Sequence, residues 1–471
     1  MESSREDWDA VPLCKTATDA STARLPIAVG REGAFVTRSK PDIFSLESVL
    51  AGGMVLRRLT KIILGLACAG QAGAAIAPPP PTLDEGTTFH LFVGDQYTYD
   101  DNLYRIPASF NPVVSTLTPN ATRGDRINTL SGGGAGQWFI GRQVIDFSLR
   151  ADYSRFANNT ALNNTGGDGS LVWNWLVGSH FSGQVGAEFN RSLAGFAETR
   201  YLGRDLVDLK TYFGKGTFQV GPHWAIVGGA RETEISHGAA AAAYNNFKLR
   251  SGNAGMEFTT AVSDTFGLEY LYTRGLYPQN YTFDNLPFDR DFKEDIYRGT
   301  VKYALTEKFN VDAYAGYLKH TLPPQNILPS AIFGNFSGDI WRATFNWLPT
   351  EKTQLGFAGW HELHAYLVNA SNYFISKGFS ISPTWQPTDK ITVDFIASRE
   401  DQDYVAIQSV LGLLAPPRFD RVTAEQINVF YIPRERWTLN LFFRNERRSS
   451  NQTDFTFSDR NGNLSFTYKF W

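Results

Sequence analysis

From Val144 the chain reads V-I-D-F-S-L-R-A-D-Y-S, with apolar and polar residues taking turns. Phe147, Leu149, Ala151 and Tyr153 share one side, and Ser148, Arg150, Asp152 and Ser154 the other. A repeat of two predicts a strand, because successive side chains point to opposite faces. "EDIYRGTVKYAL" (294–305) sets Tyr297, Val301 and Tyr303 against Arg298, Thr300 and Lys302. "KITVDFIAS" (390–398) sets Ile391, Val393, Phe395 and Ala397 against Thr392 and Asp394, with Ile396 interrupting the polar row. "WTLNLFFRNE" (437–446) opposes Leu439, Leu441 and Phe443 to Asn440, Arg444 and Glu446.

The connections alternate as well. Short turn signals fall at "IGRQ" (140–143), "FSGQ" (181–184), "VGPH" (220–223), "VSDT" (262–265), "LTEK" (305–308), "LPTEK" (348–352), "QPTDK" (386–390) and "IPRER" (432–436). Between them lie longer polar segments such as "ANNTALNNTGGDG" (157–169), "YPQNYTFDNLPFDRD" (277–291), "TLPPQNILPSAIFGN" (321–335) and "QDYVAIQSVLGLLAPPRFD" (402–420). Each unit of about 40 residues is therefore strand, long loop, strand, short turn. That period also suits a propeller. A propeller blade needs four strands in that span, though, and this chain places two long ones there without any recurrent Trp-Asp or kelch pair.

One apolar and one charged face fits a sheet in water, or a barrel in lipid with its polar side inward. The amino-terminal region decides between them. Arg57, Arg58 and Lys61 precede an apolar run from Ile62 to Gly70, and Ala75-Ile76-Ala77 offers a small-residue cleavage site before four prolines. This pattern predicts an export signal over 54–77, too short to span as a helix. Residues 1–53 then form an upstream extension, 78–85 a Pro-rich lead-in, and 86–471 the folded unit. Cleavage after Ala77 removes Cys14 and Cys68, so the exported chain carries no disulfide. The expected fold is an all-β, transmembrane, antiparallel up-and-down barrel of about eighteen strands, sixteen being the alternative. Short periplasmic turns and long extracellular loops join them.

Composition agrees. Phe and Tyr number 35 and 20, glycines number 42, and the mean hydropathy is −0.26. Aromatic and glycine-rich chains favour strands and tight turns over long helices. A net charge of −3 gives no pull toward nucleic acid. The chain closes on "NGNLSFTYKFW", whose Phe466, Tyr468 and Phe470 alternate with polar residues before Trp471 falls out of phase. A terminal aromatic strand of this kind closes a barrel and serves its assembly machinery as a signal. Trp173, Trp175, Tyr270, Tyr272, Trp341 and Trp347 read as interface girdles that meet the membrane lipid.

The segment "YTYDDNLYRIP" (97–107) resembles the start of the EpsL-type outer-membrane proteins of exosortase-linked exopolysaccharide clusters, within the beta-barrel porin type 2 group. Asp101, Asn102 and Arg105 carry that resemblance. "NYTFDNLPFDRDFKEDIYRGTVKY" (280–303) and "SFTYKF" (465–470) extend it. The resemblance implies an outer-membrane location and a part in exporting or assembling an extracellular polysaccharide, and it brings no catalytic residues or cofactor.

Enzyme chemistry finds no foothold. "HELH" places His361 and His364 three apart, not the four of a zinc-binding helix, and three apart on a strand sends them to opposite faces. No metal or cofactor is expected. Period two instead points Arg150, Asp152, Glu188, Arg298, Lys302, Asp312, Arg342, Asp394, Glu400, Arg444 and Glu446 into the lumen. Opposite charges there either pair across strands to satisfy the wall or select solutes, as charged rings do in channels. The expected function is export or surface assembly of an extracellular polysaccharide through the polar lumen, the alternatives being a small-solute porin or a plugged structural or adhesion barrel. Composition and spacing name no oligomeric state.

Overall fold

The computed structural model describes residues 88–110, 121–197, 201–279, 281–283, 286–323, 335–365, 371–406 and 417–470. The upstream extension, the export signal, the Pro-rich lead-in and Trp471 lie outside these residues.

Alternation along the chain produces long strands: β1 (Thr88–Asp100), β2 (Asp125–Ile140), β3 (Gln143–Phe156), β4 (Asn164–Val177), β5 (Phe181–Leu193), β6 (Leu206–Gln219), β7 (Trp224–His237), β8 (Phe247–Thr259) and β9 (Thr265–Leu276). A short hairpin of β10 (Tyr281–Phe283) and β11 (Leu286–Phe288) stands apart in a long loop. The series continues with β12 (Phe292–Thr306), β13 (Phe309–Thr321), β14 (Phe336–Thr350), β15 (Thr353–Ala365), β16 (Ser371–Thr388), β17 (Ile391–Ala406), β18 (Phe419–Arg434), β19 (Trp437–Ser450) and β20 (Phe457–Lys469).

Apart from the small hairpin, the strands form one 18-stranded antiparallel sheet. Each strand pairs with its neighbour in sequence, and β1 pairs with β20 from Phe92↔Lys469 to Asp100↔Asn461. The sheet closes on itself and leaves no edge, the condition a strand structure must meet to cross a bilayer. The expected count of eighteen therefore holds.

Several boundaries differ from the sequence reading, and two of them are instructive. "FSGQ" opens β5, and the turn falls just before it at Gly178, whose φ of +61° suits glycine. "NTGGDG" (164–169) belongs to β4 rather than to a loop, because the register continues through it to β3 and β5. Three glycines in six residues hid that strand from composition.

The outward face is apolar and open. Leu268 is 74% exposed and Leu149 67%, with Leu171, Trp173, Met256, Tyr297 and Leu464 also exposed along it. A wall of large exposed apolar residues on every side has lipid as its natural solvent. The opposite face is polar and much more closely packed. Glycines make room there: a Cβ at Gly378 would collide with the Trp360 indole on the neighbouring strand. Gly378→Val is therefore expected to displace that ring and cost about 1–3 kcal/mol, read as an earlier urea midpoint of the folded barrel.

Candidate functional site: the polar lumen and its long-loop rim

The register turns Arg150, Asp152, Glu188, Arg298, Lys302, Asp312, Arg342, Asp394, Glu400, Arg444 and Glu446 to the interior, opposite the exposed apolar row. Most of the cations among them are held by acids. Arg150 meets Asp168 at 2.6 Å and Asp152 at 3.9 Å. Arg444 meets Glu446 at 2.7 Å, and the nearly buried Arg298 meets Glu269 at 2.6 Å. Lys302 and Asp312 sit directly across β12 and β13.

The densest part of the wall crosses β13 to β17. Arg342 donates from Nε and Nη2 to the two oxygens of Glu362, at 2.9 and 3.0 Å. The Tyr314 hydroxyl donates to the same carboxylate at 2.5 Å. The Arg342 guanidinium lies 5.0 Å from the Trp360 ring centre, and the indole N–H of Trp360 donates to Ser376. Ser376 and Gln402 then each donate to Glu400 at 2.7 Å. The buried Glu362, Ser376, Glu400 and Gln402 side chains thus each gain a partner, which is what makes burial of charge tolerable.

Several of these partners escaped the sequence reading. Glu269, Glu362 and Asp168 are lumen residues by the same period-two rule, and Glu362 sat unremarked between the two histidines. His361 faces outward beside Lys377, and His364 stacks on Phe374 with Glu362 3.8 Å away. The two histidines do not converge on one site.

The motif residues Asp101, Asn102 and Arg105 occupy the rim carrying the long loops, at the seam where β1 meets β20. The backbone N–H of Asp101 donates to the Arg460 carbonyl, and the Asp101 carboxylate accepts from the Arg460 N–H at 2.7 Å. The buried Asn102 amide donates to the carbonyls of Ser458 and Ile106. Arg105 bridges Asp100 and Asp459, at 2.9 and 3.0 Å, with Asp459 fully buried. Arg105 adopts this position at a φ of +53°, a conformation that side chains occupy at a cost of about 1–2 kcal/mol. Asp100, Asp101 and Asp459 bring carboxylate oxygens within 4.8 Å of one another, and Arg105 supplies positive charge to two of them. The motif extends the closing ladder past the end of the strands.

Behind the clasp, the first two long loops are sewn together. Asp125 accepts from the N–H groups of Asn158 and Asn159 and from the Asn159 amide, while Tyr104 donates to Asn159 at 3.0 Å. Leu103, Ile106, Ile127, Phe156, Leu162, Leu193 and Phe196 pack beneath. Burial, with the Asp125 charge second, pushes the Tyr104 phenol up to about 12. A group that binds its proton more tightly in the folded state stabilises that state below the unfolded value. The contribution should be lost as pH rises from about 10 to 12. A phenolate absorbance titration of wild type against Tyr104→Phe checks this, the variant showing one late-titrating tyrosine fewer.

These features define a closed transmembrane barrel with a polar, charge-paired interior and a tied long-loop rim. No known family and no characterised protein matches the sequence. Among solved structures the chain is similar to OccK9 (OpdG) of Pseudomonas aeruginosa, at 11% identity and a TM-score of 0.44, over 81% of this chain and 98% of that one. It is similar to OccK2 (OpdF) of the same organism in complex with glucuronate, at 8% identity and 0.44, over 82% and 98%. It is also similar to a BenF-like porin from Pseudomonas fluorescens Pf-5, at 10% identity and 0.43, over 82% and 99%. Likeness at this level adds nothing to what the chain's own residues show about chemistry.

Proposed function

We propose that the chain is an outer-membrane channel that passes small polar solutes and favours cations over anions. One observation carries this reading: the inward wall of the closed barrel is rich in charged residues, and its acids outnumber its cations. Asp100, Asp125, Asp146, Asp152, Asp168, Glu188, Glu257, Glu269, Glu294, Asp312, Glu362, Asp394, Glu400, Asp420, Glu446 and Asp459 face Arg150, Lys215, Arg231, Arg298, Lys302, Arg342, Arg444, Arg448 and Lys469 along the described strands. A surplus of one sign on a low-dielectric wall concentrates counter-ions. The apolar outer band and the export signal expected over 54–77 support the outer-membrane location.

The polysaccharide role implied by the resemblance draws less support from the wall. A glycan sliding through a barrel would use open aromatic faces. Phe213, Phe292, Phe336, Trp360, Phe374 and Tyr404 point inward but are each buried against neighbours. The motif residues are committed to closing the barrel. Liposome swelling separates the two readings. Small neutral sugars and small cationic solutes are expected to enter vesicles carrying the barrel, cationic solutes faster than anionic ones of equal size. Exclusion of all small solutes, with retention of a long polysaccharide on the protein, would favour the export reading instead.

A further inference from the structure

The outer wall carries a feature that channel function does not use. Register aligns one outward row across five strands: Trp341, His361, Lys377, Asp401 and Arg421 on β14 to β18. The next outward row toward the short-turn rim runs through Phe379, Arg399, Thr423 and Arg447 on β16 to β19. Between the rows lies a cleft of about 310 Å³, lined by Trp341, His361, Lys377, Phe379, Arg399 and Asp401. Lys377, Arg399, Arg421 and Arg447 are all exposed. The one acid in the two rows, Asp401, is shared by Arg421 at 2.6 Å and Arg399 at 3.8 Å. Asp339, which is exposed, and Asp403 stand in the row above, and Glu425 in the row below.

Height matters here. Trp341 and Trp347 both point outward on β14, six residues apart, or about 20 Å along the strand and about 15 Å in height once its tilt is allowed for. They mark the upper and lower aromatic girdles of an apolar band. The cations therefore stand at the level of the upper girdle, where lipid headgroups lie, with Phe379 exposed beside them and the apolar wall below. Cations turned toward a membrane at that depth need anions there. The opposite side of the barrel solves the problem differently. On β7 and β8, outward Lys248 lies 3.4 Å from Glu232 and 3.3 Å from Glu234, and Arg250 lies 2.7 Å from Glu232.

We propose that the face over β14 to β19 is a binding site for the phosphorylated headgroup of an outer-leaflet glycolipid. Lys377, Arg399, Arg421 and Arg447 meet the phosphates, Trp341 and Phe379 flank the sugar, and acyl chains run down the apolar wall. The inference rests on the outer-membrane location but not on conduction, so a barrel that passes no solute still tests it.

The test is native mass spectrometry of the full chain refolded in detergent, offered diphosphorylated lipid A or the same lipid without its phosphates. The phosphorylated lipid should be retained and its dephosphorylated form should not. K377Q/R399Q/R421Q/R447Q should weaken retention at least about tenfold, whereas K248Q/R250Q should leave it unchanged. Inorganic phosphate at equal concentration should not displace the lipid. Equal retention of the two lipids by the wild-type barrel would overturn the proposal without recourse to any variant. Undiminished retention by the quadruple variant, an equal loss in K248Q/R250Q, or displacement by free phosphate would each do so as well.

Discussion

Replacing Arg105 with alanine is expected to lower the stability of the folded barrel by about 3–5 kcal/mol, the cost of leaving buried carboxylates without their cation. Asp100 and Asp459 are each almost wholly buried and share Arg105 between them. Without it, two buried carboxyl groups face each other with no cation between them, at the seam where strands distant in sequence must meet. The comparison is Asp101→Ala, which removes a side-chain acceptor for the Arg460 N–H and should cost about 1 kcal/mol. Equilibrium unfolding in urea, followed by the heat-modifiable shift of the folded barrel on gels, measures both. If Arg105→Ala unfolds at the same urea concentration as wild type, the clasp does not hold the seam closed.

The second large effect lies in the lumen. Glu362→Ala strands the Arg342 guanidinium and takes the acceptor from Tyr314, both half-buried in the wall. A loss of about 1–3 kcal/mol is expected from the stranded, half-buried cation. The double variant R342A/E362A should recover a large part of that loss, because the penalty is the lone charge rather than the missing pair. Selectivity should move with it: E362A adds net positive charge to the lumen and should shift preference toward anions, whereas R342A/E362A should stay near wild type. A double variant no more stable than E362A would contradict the pairing.

Much of the barrel was legible because period two is a direct consequence of strand geometry. Arg298, Thr300 and Lys302 could be assigned to the lumen from their spacing alone, and the register agrees. The partners were not legible. Which acid meets Arg298 depends on the stagger between β9 and β12, separated by a long loop that hides the register, so Glu269 could not be singled out. The segment 164–169 was misread because glycines carry no face. Asp101, Asn102 and Arg105 stood out in the sequence only through a family resemblance. Their work at the seam appears only once β20, more than 300 residues later, is laid against β1. The outward basic rows were equally hidden, since Lys377, Arg399, Arg421 and Arg447 sit on four different strands.

The measurement that bears most directly on the central claim is the reversal potential of the refolded barrel in a planar bilayer under a potassium chloride gradient. A polar lumen with surplus acid predicts steady conductance and a reversal potential of the sign set by potassium, moving toward zero as ionic strength screens the wall. A folded, heat-modifiable barrel with no conductance, or one whose reversal potential takes the chloride sign, would contradict it.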